Sequence, residues 1–123
     1  MTTQNPRLSE LPREERPVDM RALDKVFGDN VEAQLSILRK FVDQTDEILA
    51  STESAHERKD ADQVGFFAHK LKSSARTVGA NHLSDICFEL EVTGRNADWT
   101  AIGPLVGSMQ SEVARVRDYI AGL

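Results

Sequence analysis

Apolar residues recur along most of this chain at three- and four-residue steps, the period of an α-helix that buries one face. The segment Val18 to Phe27 is followed by Gly28, a residue suited to ending a helix. A second helix is predicted from Asp29 or Asn30, both good N-caps, to about Lys59. Its stripe is Val31, Leu35, Leu38, Val42 and Leu49; Ile37, Phe41 and Ile48 widen it, so that this helix faces several neighbours. A third helix begins near Asp60 or Asp62, carries Val64, Phe67, Ala68, Leu71, Ala75 and Val78, and stops at Gly79. A fourth, capped near Asn81, carries Leu83, Ile86, Cys87 and Leu90 and ends at Gly94. A fifth follows Asp98, with Val106, Met109, Val113, Val116 and Ile120 on one face. Pro104 should kink this last helix or move its start, because proline removes a backbone donor. Neither a period-2 alternation nor a repeat of solenoid length interrupts the helical pattern.

Four substantial amphipathic helices on short connections can hide their stripes only against one another. The expected fold is therefore all-α, an antiparallel four-helix bundle with a short additional N-terminal helix, over residues 18–123. Residues 1–17 hold Pro6, Pro12 and Pro17 among charges of both signs and read as a flexible N-terminal tail.

Composition narrows the class. The 123 residues are 40% hydrophobic and 28% charged, ordinary for a globular protein, and suffice for a single core. Fifteen basic and twenty acidic residues give a net charge of −5, which argues against nucleic acid or an anionic membrane as the main partner. The lone Cys87 excludes an internal disulfide and fits a reducing compartment. Neither a membrane-spanning apolar run nor the apolar stretch of a signal peptide is present, so a cytoplasmic protein is expected.

The chemistry concentrates in Ala68 to Ala80, AHKLKSSARTVGA. At about 100° per residue the stripe of the third helix clusters in one direction, and His69 points about 135° away from its centre. Small residues lie one turn to either side of it, Gly65 before and Ser73 after, while Lys72 and Arg76 stand at the three- and seven-residue steps. The result is an exposed imidazole with open approach and cations within reach. Such a ring can serve as the nucleophile in phosphoryl transfer: imidazole's ordinary pKa near 6.5 leaves most of it neutral at cytoplasmic pH, and neighbouring cations disfavour its protonation. Lys72, with Arg76 and Lys70, could stabilise the transferred phosphoryl group or dock its carrier. A solitary exposed histidine is usually only a surface residue, which is how His56 and His82 are read.

The same segment resembles the histidine-containing phosphotransfer (HPt) family. The resemblance is carried by Ala68-His69, Leu71, Lys72, Ser74 and Gly79-Ala80, continues through Leu83, Cys87, Leu90 and Glu91, and extends more weakly over residues 20–120. It implies that His69 accepts phosphate at Nε2 with Lys72 beside it, and that the protein is a phosphocarrier with no independent catalytic site. The implied partners are response-regulator receiver domains and a hybrid histidine kinase; the protein would be a monomer without a cofactor of its own, Mg²⁺ coming from the receiver. One departure stands out: the position after Lys72 is commonly glycine in the family and is Ser73 here. Serine keeps access open, and its hydroxyl could bond the imidazole, the phosphoryl group or its own helix backbone, altering rate or phosphohistidine lifetime.

Phe66, on the histidine's side of the helix and away from the core stripe, is either a receiver-docking contact or covered by the N-terminal helix. Glu89 and Glu91 read as solvated or packing-edge carboxylates, and Cys87 as core. The alternatives are weaker. A receiver-binding adaptor without phosphotransfer would need a missing or blocked histidine. The phosphoacceptor part of a histidine kinase typically has an acidic residue after the histidine, where this chain has Lys70, and no Gly-rich nucleotide segment is present. A metal site lacks ligand spacing, since His56, His69 and His82 are thirteen residues apart.

Overall fold

The computed structural model describes residues 8–123. Two 3₁₀ turns, Leu8–Glu10 and Arg13–Glu15, precede α1 (Arg21–Phe27), α2 (Val31–Glu57), α3 (Ala61–Thr77), α4 (Asn81–Arg95) and α5 (Trp99–Ala121), with no strand among the described residues. Helices α2 to α5 form the expected antiparallel four-helix bundle. α3 packs between α2 and α4, α5 joins α4 to α2 to close the ring, and α1 lies on α2. None of these helices is long and apolar enough to cross a membrane.

Local chemistry sets most boundaries. The side chains of Asn30 and Asp60 accept from the amides of Ala33 and Gln63 at 3.1 and 3.2 Å, capping α2 and α3. At the far ends, the amides of Asp60, Ala80 and Asp98 reach back to the carbonyls of Ala55, Ala75 and Thr93 at 2.8–2.9 Å. The residue before each, Lys59, Gly79 or Ala97, takes positive φ, so α2, α3 and α4 all close with the same left-handed turn.

Four expectations change. Gly94 does not end α4; it is buried inside the helix against α3, and Ala97 (φ 50°) makes the reversal. α5 begins at Trp99 and runs through Pro104 without its start being displaced. The buried face of α2 is rotated from the apolar stripe: Val31 is 59% exposed, whereas Gln34, Thr45 and Thr52 are buried beside Leu38 and Phe41. The Gln34 amide donates to Asp24 Oδ1 and to the Gly28 carbonyl, and Thr52 to the Ile48 carbonyl, so these two enter the interior bonded, whereas Thr45 Oγ1 has no partner among the described residues. The N-terminal segment is the fourth. Residues 1–7 of the expected tail lie outside the described residues. Beyond them, Leu8 packs against the core, Pro17 is buried, and Arg115 of α5 donates to the Glu15 carbonyl at 3.0 Å. The turn at Leu8–Glu10 and the Glu15 carbonyl thus meet α5, while residues 12–15 stay exposed.

On the α3/α4 side the core is tight: Val64, Ala68, Leu71, Ala75, Leu83, Cys87 and Leu90 are fully buried. Burial pushes the Cys87 thiol up to about 12, so it is a packing residue.

Candidate functional site

The stripe that roots α3 in the core decides where its polar residues go. With Ala68 and Leu71 inside, His69 emerges on the surface with 61% of its side chain exposed. Across the seam, buried Leu90 sets the orientation of α4, and the next residue, Glu91, leans back towards α3 with its side chain only 14% exposed.

The site is built on this carboxylate. Its Oε2 lies 2.5 Å from His69 Nδ1, its Oε1 accepts from Lys72 Nζ at 2.6 Å, and the Arg95 guanidinium stands 3.8 Å from Oε2. Lys72 is further fixed by the Phe88 ring, 5.5 Å from Nζ, and Ser84 Oγ donates to the Lys72 carbonyl at 3.1 Å. The Lys72 hydrogen bond holds the Glu91 carboxyl below the usual carboxylate range against the opposing effect of burial, and the His69 bond adds to it.

An ionised carboxylate can only accept, so Nδ1 carries the ring proton and donates it to Glu91; this assignment rests on the bonding pattern. The other nitrogen, Nε2, is then the one with a free lone pair, on a ring held from behind. Imidazole, carboxylate and ammonium together form an oriented nucleophile, with a cation poised to meet negative charge.

The residues singled out in the sequence divide here. His69 and Lys72 lie together as expected. Phe66 is 55% exposed, stands edge-on to Phe67, and borders a hollow beside His69 with Asp62, Gly65, Glu91 and Arg95. α1 packs on α2 and leaves Phe66 uncovered. Gly65 lines the same hollow but also packs: a Cβ there would meet the Glu91 carbonyl oxygen at 3.5 Å. Ser73 is exposed beside a groove formed with Ile37, Lys40 and Gln44, and its hydroxyl makes no bond to the imidazole. Lys70 and Arg76 are exposed and make no bond to the cluster; the arginine that reaches it is Arg95.

The charge nearest the imidazole is therefore a carboxylate, which stands between the ring and the cations within reach, Lys72 and Arg95. Glu91 reads as a packing-edge residue because it follows the α4 stripe, and its partner lies 22 residues away on another helix. Its only signal was its place in the family pattern. Arg95, Phe88 and Ser84 gave none.

Glu91 also ties the site to stability. Its depressed titration stabilises the fold above the ordinary carboxylate range, and that contribution is lost as pH falls through the depressed value. Glu91→Gln should lower unfolding free energy near neutral pH by the order of 1 kcal/mol, a modest loss because the His69 side is open to solvent. The gap from the unsubstituted protein should close at acid pH, as measured by denaturant titrations across pH. A gap independent of pH would show that the carboxylate's charge adds nothing to folding.

The Hpt domain family model matches residues 36–119. Among solved structures, the chain is similar to histidine-containing phosphotransfer protein B (HptB) from Pseudomonas aeruginosa PAO1. The TM-score is 0.80 at 27% identity, covering 86% of this chain and 92% of that one. No curated protein sequence matches the chain.

Proposed function

This chain belongs to the Hpt domain family, and from that premise we propose that His69 accepts a phosphoryl group at Nε2 from a receiver-domain aspartate and passes it to the aspartate of another receiver domain. Histidine phosphotransfer in the phosphorelays of two-component signalling is the family's activity, and its members are phosphocarriers. The observation that carries the residue assignment is the bond from Nδ1 to Glu91, which leaves Nε2 as the unprotonated nitrogen of an exposed ring.

In the proposed step the Nε2 lone pair forms a bond to the phosphorus of an aspartyl phosphate. The bond between phosphorus and the aspartate oxygen breaks, and its electron pair leaves with the carboxylate. The ring gains positive charge, which Glu91 offsets from Nδ1 without taking the proton. Lys72 is close enough to turn from Glu91 to the phosphoryl oxygens, a transfer between two anionic partners that suits a compact ammonium on a flexible stem. Passing the group onward reverses each bond change. The Mg²⁺ for the transfer would come with the receiver.

Two exposed aromatics, Phe66 on α3 and Phe88 on α4 (55% and 52% exposed), border this region and supply apolar surface for a docking receiver. Lys70 and Arg76 would then serve at most as peripheral docking charges. In this reading the protein acts as a cytoplasmic monomer between a hybrid histidine kinase and response regulators, and its buried thiol suits a reducing compartment.

Mixing the protein with a phosphorylated receiver domain tests the proposal. The label should leave the receiver and appear here as an acid-labile, alkali-stable phosphoramidate, whereas ATP alone should label nothing. Stable binding to receivers with no transfer from any of them would replace this reading by that of an adaptor.

A further inference from the structure

Glycine in a helix interior costs about 1 kcal/mol relative to alanine, and here two of them face each other across α3 and α4. Gly94 is buried. A Cβ on it would lie 2.8 Å from the Gly65 nitrogen and 2.9 Å from both the Ala61 oxygen and the Gly65 Cα. All three atoms belong to the α3 backbone and have no rotamer by which to yield. A Cβ on Gly65 would meet the α4 backbone no closer than 3.5 Å, an ordinary contact. The close approach therefore depends on Gly94.

This contact adjoins the phosphotransfer site. Gly65 precedes His69 by four residues on α3, and Gly94 follows Glu91 by three on α4. Because the helices are antiparallel, the glycine contact and the bond from His69 to Glu91 are successive rungs of one seam, roughly one helical turn apart. The bonds at the upper rung are short, 2.5 Å to His69 and 2.6 Å to Lys72, and charge-assisted bonds weaken steeply as they lengthen. Arg95, next to Gly94 in sequence, stands beside Glu91 at the i, i+4 spacing of α4 itself.

We propose that Gly94 is a positioning residue for phosphotransfer: by letting the backbones of α3 and α4 touch, it sets the spacing at which Glu91 holds the proton on His69 Nδ1 and leaves Nε2 free to react. This rests on the phosphotransfer reading given above. A methyl group at position 94 forces the helices apart by several tenths of an ångström, which stretches the bond from Nδ1 to Glu91 and weakens its hold on the proton.

The experiment reads the ring directly, through the ¹⁵N shifts of the two imidazole nitrogens in the unphosphorylated protein at mildly alkaline pH. In the unsubstituted protein the proton should sit on Nδ1. In Gly94→Ala it should move substantially to Nε2, and labelling by the small donor phosphoramidate should slow about ten- to hundredfold, as for other small misplacements of reacting groups. Gly107→Ala, on α5 with nothing within 4 Å of its would-be Cβ, should leave both readouts unchanged. A folded Gly94→Ala that keeps the wild-type proton position overturns the proposal, whatever its labelling rate. If that variant does not fold, Gly65→Val inserts a wedge from the half-exposed side, and a wild-type proton position in it overturns the proposal equally. Failure of the unsubstituted protein to take up phosphate would instead overturn the phosphotransfer reading and leave the ring measurement standing.

Discussion

Replacing His69 by Gln abolishes phosphoryl acceptance while the bundle still folds. The amide nitrogen of glutamine has its electron pair delocalised into the carbonyl and cannot attack phosphorus, so the loss should reach the limit of detection. The fold should survive because the His69 side chain is 61% exposed and takes no part in the core. Its bonded neighbour Glu91 keeps Lys72 as a partner, so the stability cost stays within about 1 kcal/mol. Transfer from a phosphorylated receiver, followed beside the helical circular dichroism signal, separates the two effects. Undiminished labelling of the folded variant would move the acceptor to another residue and remove the basis for the roles given to Lys72 and Glu91.

The second large effect concerns stability. Gly79→Ala should destabilise the protein by about 3 kcal/mol and lower its melting temperature by roughly 10 °C. Gly79 has φ +85°, which alone costs a non-glycine residue about 1–2 kcal/mol, and a Cβ there would lie 2.2 Å from the Asp19 carbonyl oxygen. The alanine would have to displace the segment before α1. That segment is tied by the Asp19 amide donating to the Gly79 carbonyl at 2.8 Å, and it seats the fully buried Val18. Gly28 supplies the control. It too has positive φ, +57°, but nothing lies within 4 Å of its would-be Cβ, so Gly28→Ala should show the conformational strain alone, about 2 kcal/mol. Equal losses at the two positions would mean that the Asp19 contact contributes nothing. Thermal and denaturant unfolding of both variants decide this.

Gly79 also shows how a correct local reading can be incomplete. As a helix terminator it is legible from its place after a periodic run, and it does close α3. That it also admits another stretch of backbone, sixty residues earlier in the chain, is a tertiary fact with no trace in the local pattern. Gly94 is the opposite case: read as a terminator by the same rule, it is a contact between helices. α2 shows the limit for polar residues, since Gln34 and Thr52 enter the interior through hydrogen bonds that a hydrophobic period does not register.

The helices, their bundling, and the exposure of His69 with Lys72 one turn on were legible in the residue order, because helical periodicity is local and each buried face constrains the face opposite. Resemblance to a family supplied the reaction. The resemblance implied Nε2 as the accepting nitrogen, but the physical ground for it, a carboxylate 22 residues away that bonds Nδ1, came from tertiary packing. That packing also exchanged Arg76 for Arg95 as the arginine at the site, and gave Gly65 and Gly94 a shared contact. The physical reason is the same in each case. Which face a side chain occupies follows from spacing along one helix, but what it touches depends on how closely and in what register a second helix is packed against it.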